Sequence, residues 1–112
     1  MTEFRSVDPS TGVLVTERAD ATPAEIDASL TAAANAWSIW SATPLAERGT
    51  RLRALAAVLR SGKEGHARLM AEEIGKPLTQ GLAEIDKCAH GCDFAADRAG
   101  EWLAPELVPT EA

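Results

Sequence analysis

The stretch Leu78-Thr79-Gln80-Gly81-Leu82-Ala83-Glu84-Ile85-Asp86-Lys87-Cys88-Ala89-His90-Gly91-Cys92-Asp93-Phe94-Ala95-Ala96-Asp97-Arg98-Ala99-Gly100-Glu101-Trp102-Leu103 decides the architecture. Leu78, Leu82, Ile85, Ala89, Cys92, Ala96, Ala99 and Leu103 alternate at spacings of four and three. That is the period of a long amphipathic helix over about 78–103. Ala104-Pro105 ends it, and Glu106 to Ala112 reads as an irregular exit. Just upstream, Gly75-Lys76-Pro77 stops a shorter helix, 63–74, that runs through Leu69, Met70 and Ile74.

Further out, Ser61-Gly62-Lys63-Glu64-Gly65 separates that helix from one over 44–61. Each Gly inside a helix costs about 1 kcal/mol relative to Ala. Leu45, Leu52, Leu55 and Leu59 are expected on one face of 44–61, with Glu47, Arg48, Arg51 and Arg53 mostly outside it. Thr43-Pro44 is expected to start that helix as cap and first residue. The first helix, 23–40, opens with a capping box, Thr22-Pro23-Ala24-Glu25. Its stripe is Ile26, Leu30, Ala33, Trp37 and Trp40. Residues 4–17 read as a hairpin, with Phe4 to Val7 and Val13 to Thr16 flanking Asp8-Pro9-Ser10-Thr11-Gly12. Pro9 presets a turn and Gly12 is free to take positive φ. The fold class is therefore mainly α: a short N-terminal β-hairpin followed by three or four helices.

Composition restrains what such a chain does. It has 112 residues, room for one small domain. Ala is the commonest residue in its 46% apolar content; it favours helix but buries little area, so the core is expected to be thin. A net charge of -6, with the basic residues scattered, argues against nucleic acid. No apolar run approaches a membrane span, and Met1-Thr2-Glu3-Phe4-Arg5 does not resemble a signal peptide. A reducing, cytoplasmic location is the expectation, since two cysteines four residues apart on a helix are no disulfide framework.

Self-contained chemistry is scarce. The sequence has no G-x-G-x-x-G turn, no phosphate-binding lysine loop and no G-x-S-x-G elbow. Cys88 and Cys92 share a helix face but His90 points about 200° away, so the three do not form a zinc site. Both cysteines are expected to pack as small apolar residues. His66 is expected at the surface. Asp93, Asp97 and Glu101 form an acidic row expected to be solvated, and Trp37, Trp40 and Trp102 are expected in core or interface packing. No catalytic and no cofactor-binding residue is assigned.

Four segments in order resemble the NAD(P)-dependent aldehyde dehydrogenase family. Ser6-Val7-Asp8-Pro9-Ser10-Thr11-Gly12 is similar to its V-N-P-A/S-T-G hairpin, with Asp8 in place of Asn. Thr22-Pro23-Ala24-Glu25-Ile26-Asp27 and the Ala-rich stretch to Trp40 resemble its first helix. Pro44-Leu45-Ala46-Glu47-Arg48 through Leu59 resembles its second. Glu73-Ile74-Gly75-Lys76-Pro77 followed by Glu84-Ile85-Asp86-Lys87-Cys88-Ala89 is nearest the succinate-semialdehyde dehydrogenase branch. Departures from the family pattern are Gly62, Gly65 and Asp93-Phe94-Ala95.

The resemblance implies that residues 1–112 are the N-terminal portion of an α/β aldehyde dehydrogenase whose Rossmann core and catalytic domain lie outside this sequence. It implies oxidation of an aldehyde to a carboxylic acid with NAD or NADP in the full-length family. The fragment alone is expected to bind no cofactor and to be inactive. The resemblance also implies a monovalent-cation site formed by Ser6, Val7 and Glu73. Partners would be the remaining dehydrogenase domains, if separately encoded, or a second copy through apolar helix faces. The alternatives are a stand-alone helical interaction module, such as a homodimer burying the last helix's seam, and a complementing subunit of a split enzyme.

Overall fold

The computed structural model describes residues 3–110; Met1 and Thr2 of the polar opening, and Glu111 and Ala112 of the expected irregular exit, lie outside them. The element order is β1 (Glu3–Val7), β2 (Leu14–Ala19), α1 (Pro23–Ala42), α2 (Leu45–Ser61), α3 (Lys63–Ile74) and α4 (Leu78–Trp102). The fold is thus the expected hairpin followed by helices. The second strand runs past Thr16 to Ala19, and the first helix past Trp40 to Ala42.

Local chemistry explains the boundaries. The Asp8 carboxylate accepts bonds from the Ser10 backbone N–H at 2.7 Å and the Ser10 hydroxyl at 2.6 Å. Gly12 leaves the turn at φ 73°. At α1 both halves of the capping box form. Glu25 N–H donates to Thr22 Oγ1 at 3.3 Å, and Thr22 N–H donates to Glu25 Oε2 at 2.8 Å. Thr43, expected to cap α2, closes α1 instead, its hydroxyl donating to the Ile39 carbonyl at 3.0 Å. Pro44 precedes α2 without any side-chain cap. The physical reason is position: α2 begins at Leu45, so the cap position falls on Pro44 and Thr43 lies one residue outside it.

Three helices form the packed part. α2 runs along α4, and α3 lies on the first half of α4. Small residues make the closest approaches. A Cβ on Gly81 would lie 3.1 Å from the Cα and Cβ of Ala67, and one on Gly49 would lie 3.6 Å from the Cβ of Ala96. The buried apolar residues are Ala56, Ala67, Ile85 and Ala89, and no large side chain among the described residues is fully buried. The core is thin, as the Ala content implies.

The seam of α4 follows its period from Gly81 and Ile85 through Ala89 to a half-buried Ala99, while Leu78 and Leu103 at its ends are exposed. On α2 the buried line is Gly49 and Ala56 with Leu45, Leu52 and Leu59 half-buried; Leu55 falls outside it at 46% exposure. Cys88 is exposed and Cys92 half-buried, which corrects the expectation that both pack inward. The acidic row is also not simply solvated: Asp93 pairs with Arg60 and Asp97 with Arg53, each at 2.6 Å, tying α4 to α2. His66 is exposed.

The remaining helix behaves differently. Every residue of α1 is exposed, including Ile26, Leu30, Trp37 and Trp40. Trp102 is exposed too, so none of the three tryptophans is packed in a core. The radius of gyration is 20.0 Å, where a compact domain of this length has about 13 Å. Accessible surface is 8806 Å², against about 5,900 Å² for a compact monomer of 11.8 kDa. The molecule is an extended layer with one thin seam.

Candidate functional site

The hairpin meets the helical body at the end of α3. There Gly75 takes φ 67°, and a Cβ on it would come within 3.0 Å of Pro9 Cγ. This contact sets β1, which carries Ser6 and Val7, against α3, which carries Glu73. Those are the three residues assigned to a cation. Ser6 is buried at 8% exposure, Val7 is exposed at 42%, and Glu73 is half-buried. The β1–β2 register shifts between Ser6 and Val7, with Ser6 opposite Thr16 and Val7 opposite Leu14. A bulge interrupts the ladder there, at the two residues whose carbonyls the resemblance assigns.

The chemistry of the donors fits a hard monovalent cation. Backbone carbonyls and a carboxylate are the oxygens such an ion prefers. Among the described residues Glu73 has no hydrogen-bond or ion-pair partner, although half-buried. Its neighbour in the motif is spoken for: the Lys76 ammonium pairs with Glu84 of α4. Glu73 also lies in the last turn of α3, where the helix dipole is negative and favours a cation. Among the described residues no three His, Cys, Asp or Glu side chains converge on a metal.

The same test goes the other way for a dinucleotide. The only strand pairing among the described residues is the antiparallel hairpin, with no parallel strand entering a helix through a glycine-rich turn. β2 does lead into α1, through Asp20-Ala21-Thr22. The α1 N-terminus, where a phosphate would sit, already holds the Glu25 carboxylate. The Thr22 backbone and hydroxyl bonds keep that carboxyl below its ordinary range. A second anion is disfavoured at that helix end. Neither cysteine sits at a helix N-terminus, the setting that activates a thiol.

A second feature lies where α1, α2 and α4 converge. Trp40, Leu45, Arg48, Gly49, Leu52, Ala96, Ala99 and Leu103 line a mainly apolar notch of about 210 Å³. Inside it Arg48 Nε is buried without a hydrogen-bond partner. The Arg51 guanidinium lies 5.8 Å from the centre of the Trp40 ring. Sequence reasoning placed Arg48 outside the apolar face. Its position one turn before Leu52 was a usable signal, because long side chains lie along apolar surface.

The chain superimposes on the protein Gox0499 with a TM-score of 0.95 at 30% identity, covering 100% of this chain and 25% of that one. It superimposes on the succinic semialdehyde dehydrogenase from Streptococcus pyogenes, solved with NADP+, with a TM-score of 0.91 at 27% identity, covering 96% and 24%. In sequence it is 37% identical over 107 residues to a probable NADP(+) succinate-semialdehyde dehydrogenase of Synechocystis sp., 96% of this chain and 24% of that protein. Residues 1–112 match the aldehyde dehydrogenase family model, and the chain belongs to that family. It spans about a quarter of the length of the relatives it matches.

Proposed function

We propose that this chain forms the N-terminal helical layer of an NAD(P)-dependent dehydrogenase acting on succinate semialdehyde. In this reading it holds no catalytic or cofactor-binding residue and is inactive alone. Its partner is the remaining dehydrogenase polypeptide. The carrying observation is the bare α1, whose apolar residues have no cover within the described chain. The likeness to succinate-semialdehyde dehydrogenases supports the substrate. No described helix is long and apolar enough to cross a membrane. The free thiols Cys88 and Cys92 suit a reducing, cytoplasmic setting.

The test is a graft. Replacing the matching segment of the Synechocystis relative with this chain is expected to give a folded enzyme that reduces NADP+ with succinate semialdehyde. The isolated chain is expected to show no turnover with either nucleotide. An aggregated, inactive graft overturns the layer reading, and turnover by the isolated chain overturns its inactivity.

The Ser6 and Val7 carbonyls with Glu73 are proposed to contribute to a monovalent-cation site in the same enzyme. In the graft, sodium or potassium is expected to raise the melting temperature, and Glu73→Ala to abolish the rise. Equal melting curves with and without the ion, at constant ionic strength, would remove the proposal.

A further inference from the structure

Among the described residues Arg5, Arg51, Arg53, Arg60 and Arg98 each pair with a carboxylate. Arg18, Arg48 and Arg68 do not, and of these only Arg48 is half-buried, the other two being exposed. Arg48 is also the one charged residue lining the notch formed with Trp40, Leu52, Ala99 and Leu103. Its Nε is sealed from solvent and bonds to nothing, the only such buried side-chain atom among the described residues. Its Nη groups, equally without a partner, are not sealed. One side of the guanidinium is thus fixed in the wall of the notch, and the other is free to take an acceptor.

We infer that Arg48 anchors a carboxylate side chain of the remaining dehydrogenase polypeptide, with an apolar neighbour of that carboxylate filling the notch. The inference rests on the reading of this chain as one layer of a larger enzyme. Charge complementarity selects the occupant. Once the notch is covered, Arg48 loses the water that its Nη groups still reach, and a guanidinium buried without a counter-charge is strongly destabilising. The acids close in sequence are committed: Glu47, the only one on α2, to Arg51, and Asp93, Asp97 and Glu101 of α4 to Arg60, Arg53 and Arg98. A backbone carbonyl would accept one bond and leave the charge. A carboxylate does both tasks, taking two N–H groups of the planar fork. Beside it the notch, about 210 Å³ and otherwise lined by apolar side chains and Gly49, has room for one large apolar side chain. A desolvated pair of this kind fixes the register in which two surfaces meet.

The experiment places Arg48→Met, which keeps an apolar stem and removes the charge, in two settings: this chain and its graft into the Synechocystis relative. In the chain, the urea midpoint is expected to stay or rise, because a buried donor without an acceptor disappears. In the graft, thermal inactivation is expected to quicken at least ~10-fold, because the variant strands a carboxylate in the interface. Arg48→Lys, a point charge without the fork, is expected to recover part of that loss. A crystal structure of the graft should show an Asp or Glu oxygen about 2.7–2.9 Å from an Arg48 nitrogen. Changing that acid to its amide should then reduce the sensitivity to Arg48→Met. Similar losses in chain and graft overturn the inference and make Arg48 a packing residue of α2. A graft indifferent to Arg48→Met overturns it too, as does a carbonyl or water where the carboxylate belongs. A graft that fails to fold with Arg48 intact sinks the layer reading itself, and the inference with it.

Discussion

α1 and α4 are both long helices with a four-three apolar stripe, yet one is packed and the other bare. α4 alternates its large residues with Gly81, Ala89, Ala96 and Ala99, which let α2 and α3 approach closely. Arg53 and Arg60 of α2 then fix the register by pairing with Asp97 and Asp93. α1 offers bulk instead, with two tryptophans, and no charge beyond Asp27 to lock it against a neighbour. Periodicity identifies a face to be buried. What buries it is decided by complementary shape and charge on another element.

Substitutions that contrast the two helices sharpen this. Ile85 sits in the seam at 7% exposure. Ile85→Ala is expected to cost about 2–4 kcal/mol in urea unfolding. Ile39 lies off the apolar stripe of α1 at 75% exposure. Ile39→Ala removes the same atoms and is expected to stay within about 0.5 kcal/mol. Equal costs would mean that the Ile39 side of α1 is covered as well as the α4 seam. Gly81→Leu should be the next largest effect, about 1–3 kcal/mol, because its side chain meets the backbone of Ala67 on α3. If Gly81→Leu left the melting curve unmoved, close α3–α4 contact would not be what holds them.

The smallest effect concerns α1 alone. Glu25 accepts from the Thr22 backbone and hydroxyl, and these bonds lower its pKa in the folded state. A lowered folded pKa means stabilisation that is full above the ordinary carboxylate value and fades as pH falls through the folded one. Helix content should therefore decline slightly in that acidic window, and Glu25→Gln should flatten the decline. A wild-type profile as flat as that of Glu25→Gln would show that the cap does not hold α1.

Much of the fold was legible because its signals are local. The capping box at Thr22, the Gly12 turn and the Gly75-Lys76-Pro77 stop each act within a few residues. The misreadings all needed a second element. Leu55 looks like seam by composition, but small Ala56 and Gly49 are what α4 packs on, and hydropathy is silent about small residues. Cys88 lies one turn before Cys92, and successive steps of four drift about 40° around a helix. That drift carries Cys88 out of the seam. The Arg60–Asp93 pair spans 33 positions, so it is set by helix register and not by spacing. Of the candidate cation site, Ser6, Val7 and Glu73 were legible only through family likeness. The bulge at Ser6/Val7 and the unpaired state of Glu73 required the folded chain.

The contact between Gly75 and Pro9 makes a missing methyl group the hinge pin of the whole N-terminus. Give position 75 any side chain and two demands fail at once, since the left-handed backbone is strained and the proline ring is struck. The helices have no reason to notice, so such a protein would keep its spectrum while its first two strands come unmoored and open to proteases.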